Sequence, residues 1–321
     1  MRFQSIFKFR NRDGKGVKKG EDLRPTFKNF FKFFFRKFSQ LISLNLLMLM
    51  QAVPIVVAVF AYLFIGRTPS QTSALFAPLY GASLIDPSPA TSLILALEAL
   101  PLGIPIYRPA AYWIIGICIV FMLVTMGWQS VGSFYVLRGL VRGDAVFVFS
   151  DYFYAIKRNF KQAFLFGLLD SFLIITLIVD LLYYSGTVGT FWLDLMFWAL
   201  TALAFLYMVM RPYIYMMLIT FDMKLRKMLK NALIFSVLGI KRNLMALLGI
   251  VLLVGIHVLL ILLFMPRVII TVIVPILYLM AAVGFIIAYA IYPVIDRYMI
   301  APYRKTSEDI PADEDESATE A

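Results

Sequence analysis

Six stretches of this chain are apolar for long enough to cross the hydrocarbon core of a bilayer, which takes about 20 residues of helix. They fall at 41–65, 111–137, 164–184, 191–217, 244–264 and 268–293. Runs of this kind leave little choice of fold. Backbone polar groups in lipid must pair internally, and a helix does so within one segment. The expected class is all-α: a polytopic transmembrane helical bundle of about six spans. Composition agrees, with 61% hydrophobic and 15% charged residues, where soluble domains carry about 25% charged.

Charge sets the expected orientation. With residue 1 inside, the inner segments hold 12 (1–40), 5 (138–163), 6 (218–243) and 3 (294–321) lysines and arginines. The outer segments hold only Arg67, Arg108 and Arg267, and Arg211 falls within a span. The bias of short loops places both ends in the cytoplasm. The net charge of +11 flanks hydrophobic spans, so it points to anionic lipid headgroups and not to nucleic acid. The first long run starts near Leu41, too deep and too long for a secretory leader, so it is expected to remain in the mature protein. Pro212 and Pro275 interrupt the fourth and sixth runs. Each is expected to kink its span or end it, and the fourth run is open to becoming an interfacial helix after Arg211.

Outside the spans, residues 1–23 are basic and lack apolar periodicity, as expected of a disordered arm. From residue 24 to 40 the pattern changes. Arg24, Lys28, Lys32 and Arg36 recur every four residues, phenylalanines fill the other positions, and Pro25 suits a first helical turn. This predicts an amphipathic helix lying in the inner interface, cations toward headgroups and rings toward acyl chains. Residues 66–110 form the long outer segment. Its seven prolines from Pro69 to Pro109 argue against one continuous helix. The stretch after residue 293 is expected to be a cytoplasmic tail, acidic at its end.

A short repeat stands out. Ile156, Lys157, Arg158 and Asn159 recur later in the chain as Ile240, Lys241, Arg242 and Asn243. Each copy follows an amphipathic stretch and opens a span. The Lys–Arg pairs suit the cytoplasmic boundary, and Asn159 and Asn243 suit N-caps of the spans that follow. Duplication of a span–interfacial helix–span unit and independent solutions to ending a loop both account for it.

Few residues can carry chemistry. His257 is the only histidine and Cys118 the only cysteine, which rules out His-rich metal sites and intrachain disulfides. Cys118 reads as a packing residue. No GxSxG elbow, Walker A loop or GxGxxG fingerprint occurs. Neither an enzyme nor a cofactor is expected. Charges inside spans are costly, about 2.5–3.5 kcal/mol each on insertion scales, so those present are the candidates. Asp170 lies six residues into the third span, about 9 Å in. Arg211 on the antiparallel fourth span reaches similar depth, which predicts an Asp170–Arg211 pair. Asp180, Asp194 and His257 fall toward the outer side. They read either as a proton- or cation-linked cluster or as a helix-start acid, an interfacial acid and a hydrogen-bonded histidine.

One set of motifs resembles a known family. Residues 127–138 (GWQSVGSFYVLR) lead into Val141–Asp144, then Phe149–Phe153 and Lys157–Gln162. Earlier come Leu44–Leu47 and Val53–Val56, and later Lys230–Ile234. Together these resemble the YesL-like family of bacterial membrane proteins, catalogued as a domain of unknown function. The chain departs from that pattern by a long inserted segment between Pro54 and Gly127, which follow each other closely in the family. The family's association with carbohydrate uptake implies a non-enzymatic accessory role in the plasma membrane, with an ABC-type permease or other uptake component as partner. The competing expectation is a secondary transporter, marked by broken helices and polar groups converging at mid-bilayer.

Overall fold

The computed structural model describes residues 24–65, 76–85, 88–99, 109–186, 189–264 and 273–303. The expected disordered arm, the acidic end of the tail, and Arg67, Arg108 and Arg267 lie outside these residues. The described residues are helical and contain no strand: an all-α bundle. Six helical segments are long and apolar enough to cross a membrane: Phe38–Leu63, Ala111–Arg142, Phe160–Ser185, Phe191–Thr220, Ile240–Leu263 and Leu279–Tyr303. This is compatible with a multi-pass membrane protein.

The chain divides into two compact units, residues 51–124 and the remainder. In the smaller unit, α3 (Val53–Phe60) starts with Pro54 in its first turn, where a missing N–H costs nothing. It is followed by α4 (Phe76–Ile85) and α5 (Pro89–Ala99). The described part of the expected outer loop is thus two short helices, with Ser88 and Thr91 capping the second through reciprocal side-chain bonds. Gln51 donates to the Met122 carbonyl within the same unit.

The larger unit contains α1 (Phe27–Arg36), α2 (Phe38–Leu49) and the later part of α6 (Pro109–Arg142). Then follow α7 (Val148–Arg158), α8 (Phe160–Ser185), α9 (Phe191–Thr220), α10 (Leu225–Leu238), α11 (Ile240–Leu263) and α12 (Leu279–Ile295). A π-helical turn carries α12 on through residues 296–300.

One local design recurs three times. An amphipathic helix (α1, α7, α10) ends at a single residue, and the following span starts at the next. The hinge residues Lys37, Asn159 and Gly239 share one region of backbone space, with φ/ψ pairs of −99/11, −108/20 and −86/10. In each, the hinge N–H bonds the carbonyl four residues back, and its own carbonyl accepts from the residue four ahead, Leu41, Ala163 or Asn243. The path bends without losing the hydrogen-bond ladder. Aligned by hinges, Asn159 corresponds to Gly239, whereas the repeated letters pair it with Asn243. The sequence repeat is therefore out of register with the structural one.

The buried side chains gather where the Lys- and Arg-bearing helices α1, α7 and α10 lie, here termed the basic end. Residues Tyr213 to Ile219 of α9 are all buried, as are Val136, Leu137 and Leu140 of α6 and most of one face of α12. Toward the other end, α8, α9 and α11 expose Ile178, Leu182, Trp198, Leu203, Leu252 and Leu259, the apolar surface that a bilayer covers.

Small residues set the closest approach. At Gly127 and Gly167 the backbones of α6 and α8 touch, and a Cβ on either would overlap the other's backbone. Ala163 lies one turn from Gly167, completing a small-xxx-small pair. Gly132 likewise seats the Tyr152 ring of α7. Burial there pushes the Tyr152 phenol up to about 12, partly offset by the neighbouring Ser133 hydroxyl. Gly143, at φ +80°, closes α6 in a left-handed turn in which the Asp144 N–H returns to the Gly139 carbonyl.

Three expectations change. Pro212 does not end the fourth run: α9 continues through it to Thr220, and Tyr213 to Ile219 just after it are buried. Residues 268–272 of the expected sixth span lie outside the described residues, and its helix 273–276 breaks at Leu277–Tyr278, just after Pro275, before resuming at Leu279. The helix then continues to Tyr303, so residues 294–303, expected in the tail, extend the sixth long apolar helix. In α1 the cap is Thr26, whose hydroxyl accepts from the Asn29 N–H, which leaves Pro25 before the helix and not in its first turn. Phe27, Phe31 and Phe35 are exposed, but Phe33 is buried, and Phe30 and Phe34 pack on Phe285.

Candidate functional site

The densest polar constellation inside the spans centres on Asp170. Its side chain is fully buried on the α8 face that carries Phe166 and Gly167. The opposing helix α9 presents Tyr207, Arg211 and Tyr215 at i, i+4 and i+8, one stripe about 12 Å long. Arg211 approaches through Nε, at 2.9 Å from Oδ1 and 2.8 Å from Oδ2. Tyr207 donates its hydroxyl to Oδ1 at 2.7 Å, and Tyr215 donates to Oδ2 at 2.6 Å. The carboxylate thus accepts four hydrogen bonds from three side chains.

The hub is held by its surroundings. The Tyr215 ring meets Phe166 edge-on at 5.0 Å and stacks on Phe134 at 5.9 Å. The Arg211 guanidinium carbon lies 5.4 Å from the Tyr215 ring centre, a cation–π geometry. Asp170 and Arg211 therefore meet as their depths imply. The two tyrosines are an addition, and their four-residue spacing about Arg211 was the available signal.

A second polar node joins α9, α10 and α11. The Tyr213 hydroxyl donates to Asn243 Oδ1 at 2.9 Å, and Asn243 Nδ2 donates to the Ser236 carbonyl at 3.0 Å. Asn243 is the fourth residue of α11 and does not cap its start. Asn159 also differs from expectation: its side chain donates back to the Ala155 carbonyl at 2.9 Å and leaves α8 without a side-chain cap. Both amides close the helix before the span and not the start of the span. Lys157, Arg158 and Lys241 are exposed, and Arg242 is half-buried.

The third node repairs the broken sixth span. Asn45 on α2 is fully buried. Its Nδ2 donates to the Ile276 carbonyl at 2.7 Å and its Oδ1 accepts from the Ala281 N–H at 3.0 Å. One amide thus satisfies a carbonyl just before the break and an N–H just after it. Beside it, His257 Nδ1 lies 2.6 Å from the Leu253 carbonyl and Nε2 lies 2.6 Å from the Tyr278 hydroxyl. A carbonyl only accepts, so Nδ1 carries the proton that bonds Leu253, and Nε2 pairs with the Tyr278 hydroxyl. His257 lies about 25 Å along α11 from Ile240 at the rise of an α-helix, while the Tyr278 ring also packs on Phe38 at the start of α2, 5.5 Å between centres.

No protein-family model matches this chain, and no curated protein or solved structure matches it.

Asp180, Asp194 and His257 do not assemble: no hydrogen bond or ion pair joins them among the described residues. Asp194 sits in the first turn of α9, where the helix dipole favours an acid. Among the described residues no group of three His, Cys, Asp or Glu side chains is placed to hold a metal ion. At the basic end, Arg24, Lys28 and Lys32 of the α1 row are exposed, while Arg36 is half-buried over the Phe33 ring at 4.9 Å.

Lys37, the first hinge residue, is buried, and its amine donates to the Asp144 carbonyl at 3.3 Å. Gln40 donates to the Val146 carbonyl one helical turn on. These two clamp the α6–α7 loop to the start of α2. Burial holds the Lys37 pKa below the ordinary lysine range, the neighbouring Arg36 lowers it further, and Asp144 opposes. Two hollows open at the basic end, of about 540 and 680 Å³, sharing Phe221 and Asp222 as a common wall.

Proposed function

We propose that this chain is a non-enzymatic accessory or scaffold protein of the bacterial plasma membrane, with both ends in the cytoplasm, working beside a solute uptake system. The observation that carries this reading is the saturation of Asp170. Its carboxylate is occupied by Tyr207, Arg211 and Tyr215 of its own chain, so the charge that transport would require for a solute or coupling ion is used to hold α8 to α9. Asn45 and Asn243 are used in the same way. The open polar surface lies instead at the basic end, where the excess of lysine and arginine supports a cytoplasmic side. Resemblance to the YesL-like family directs the reading toward carbohydrate uptake and an ABC-type permease.

A second reading, a secondary transporter, is favoured by the break at Leu277–Tyr278, since discontinuous spans form the binding sites of many transporters. Purification of the tagged protein from its native membrane in mild detergent, with mass spectrometry of what accompanies it, separates the two. The accessory reading expects a permease subunit in stoichiometric amount. Recovery of this chain alone, together with sugar uptake by proteoliposomes containing only it, refutes that reading in favour of the transporter.

A further inference from the structure

The smaller hollow at the basic end is lined by Lys157, Arg158, Lys161 and Gln162 on one side and by Leu218–Asp222 on the other. The hinge at Asn159 keeps a nearly helical path, so Lys157 and Lys161, four apart, and Arg158 and Lys161, three apart, share a face. All three cations are exposed, and no ion pair holds them among the described residues. With Asp222 as the one acid in the lining, the hollow carries three positive charges against one negative. The stripe of α8 that continues upward from Lys161 is apolar and open: Leu165, Leu168, Phe172, Ile175 and Val179 are 63%, 37%, 66%, 43% and 57% exposed.

A cationic hollow of about 540 Å³ at the foot of an exposed apolar track matches a molecule with an anionic head and acyl chains. We propose that this hollow is a specific site for an anionic phospholipid with two phosphates in its headgroup, of the diphosphatidylglycerol type. The phosphates sit among Lys157, Arg158 and Lys161, and an acyl chain lies along Leu165–Val179. Two phosphodiester charges neutralise the net +2 of the lining. The shared chemistry is a phosphate pair, which a soluble diphosphate also offers, but only a lipid uses the apolar stripe. Basic pockets between spans on the cytoplasmic side are suited to such headgroups. The site is independent of the accessory reading, because a transporter in the same orientation would carry it equally.

The test is native mass spectrometry of the full chain in detergent, titrated with diphosphatidylglycerol or with phosphatidylcholine of matched chains. One diphosphatidylglycerol is expected to bind at least about tenfold more tightly than phosphatidylcholine. Lys157→Gln, Arg158→Gln and Lys161→Gln together should abolish that preference, and Lys161→Gln alone, which leaves the other boundary charges in place, should reduce it. Arg226→Gln, Lys227→Gln and Lys230→Gln on α10, the same change in net charge, should leave it intact. Equal losses in the two triple variants would mean diffuse attraction and overturn the site. Binding of inorganic pyrophosphate without lipid preference would overturn the lipid assignment.

Discussion

Arg211 and Asp170 neutralise each other only while both are present. Arg211→Leu leaves a fully buried carboxylate with two phenols and no counter-charge, a loss of about 3–5 kcal/mol for a buried pair broken on one side. Replacing both with Leu removes the stranded charge, so the double variant should be more stable than Arg211→Leu alone. Thermal unfolding of the four proteins of this cycle in one detergent measures the coupling, and strictly additive losses would refute it. Lys37 argues from pH. Its folded pKa lies below its unfolded one, so between the two values the unfolded chain binds more protons. Stability then rises with pH through that window and is penalised below it. Chemical denaturation at pH 7 and pH 10 should show the rise in the native protein and not in Lys37→Met. The same slope in both would place the titration elsewhere.

At the scale of elements, close packing and hinges decide the architecture. Gly167→Val forces a branched side chain into the Gly127 backbone, and overpacking of this kind costs about 1–3 kcal/mol. Gly255, with open space around its Cβ position, is the contrast. Its replacement by alanine should stabilise α11 by about 0.5–1 kcal/mol. Opposite shifts in melting temperature are expected, and a destabilising Gly255→Ala would mean that this face is covered. These elements differ in how far the sequence announced them. The spans, the pairing of Asp170 with Arg211 and the amphipathic α1 were legible because hydropathy, depth and four-residue spacing are properties of one segment at a time. Asn45 was not, since its partners Ile276 and Ala281 come near the other end of the chain and nothing local marks an amide as a plug. The hinges were misread for a related reason. The matching Lys–Arg–Asn letters drew attention to Asn243 as the counterpart of Asn159, while the bend depends on backbone geometry that lysine, asparagine and glycine all adopt. Asn159 and Asn243 then bond backward to Ala155 and Ser236 instead of capping forward.

At the scale of the whole molecule, orientation links the basic end to function. A single cysteine makes the proposed orientation testable. In a Cys118→Ser background, cysteines at Ser150 on α7 and Lys230 on α10 should react with a membrane-impermeant maleimide only after the cells are opened. Cysteines at Ser92 on α5 and Ser185 at the end of α8 should react in intact cells. All four positions are exposed, so a failure to react reports the side of the membrane and not burial. The reverse pattern would place lysines and arginines outside against the charge bias of short loops. It would also carry the Lys157–Lys161 hollow to the other leaflet and undo the accessory reading, which needs its basic surface in the cytoplasm. Accessibility at Ser150 and Lys230 from opposite sides would break the equivalence of the second and third hinged units. Two long apolar helices, α8 and α9, lie between α7 and α10, and two crossings return the chain to the face it left.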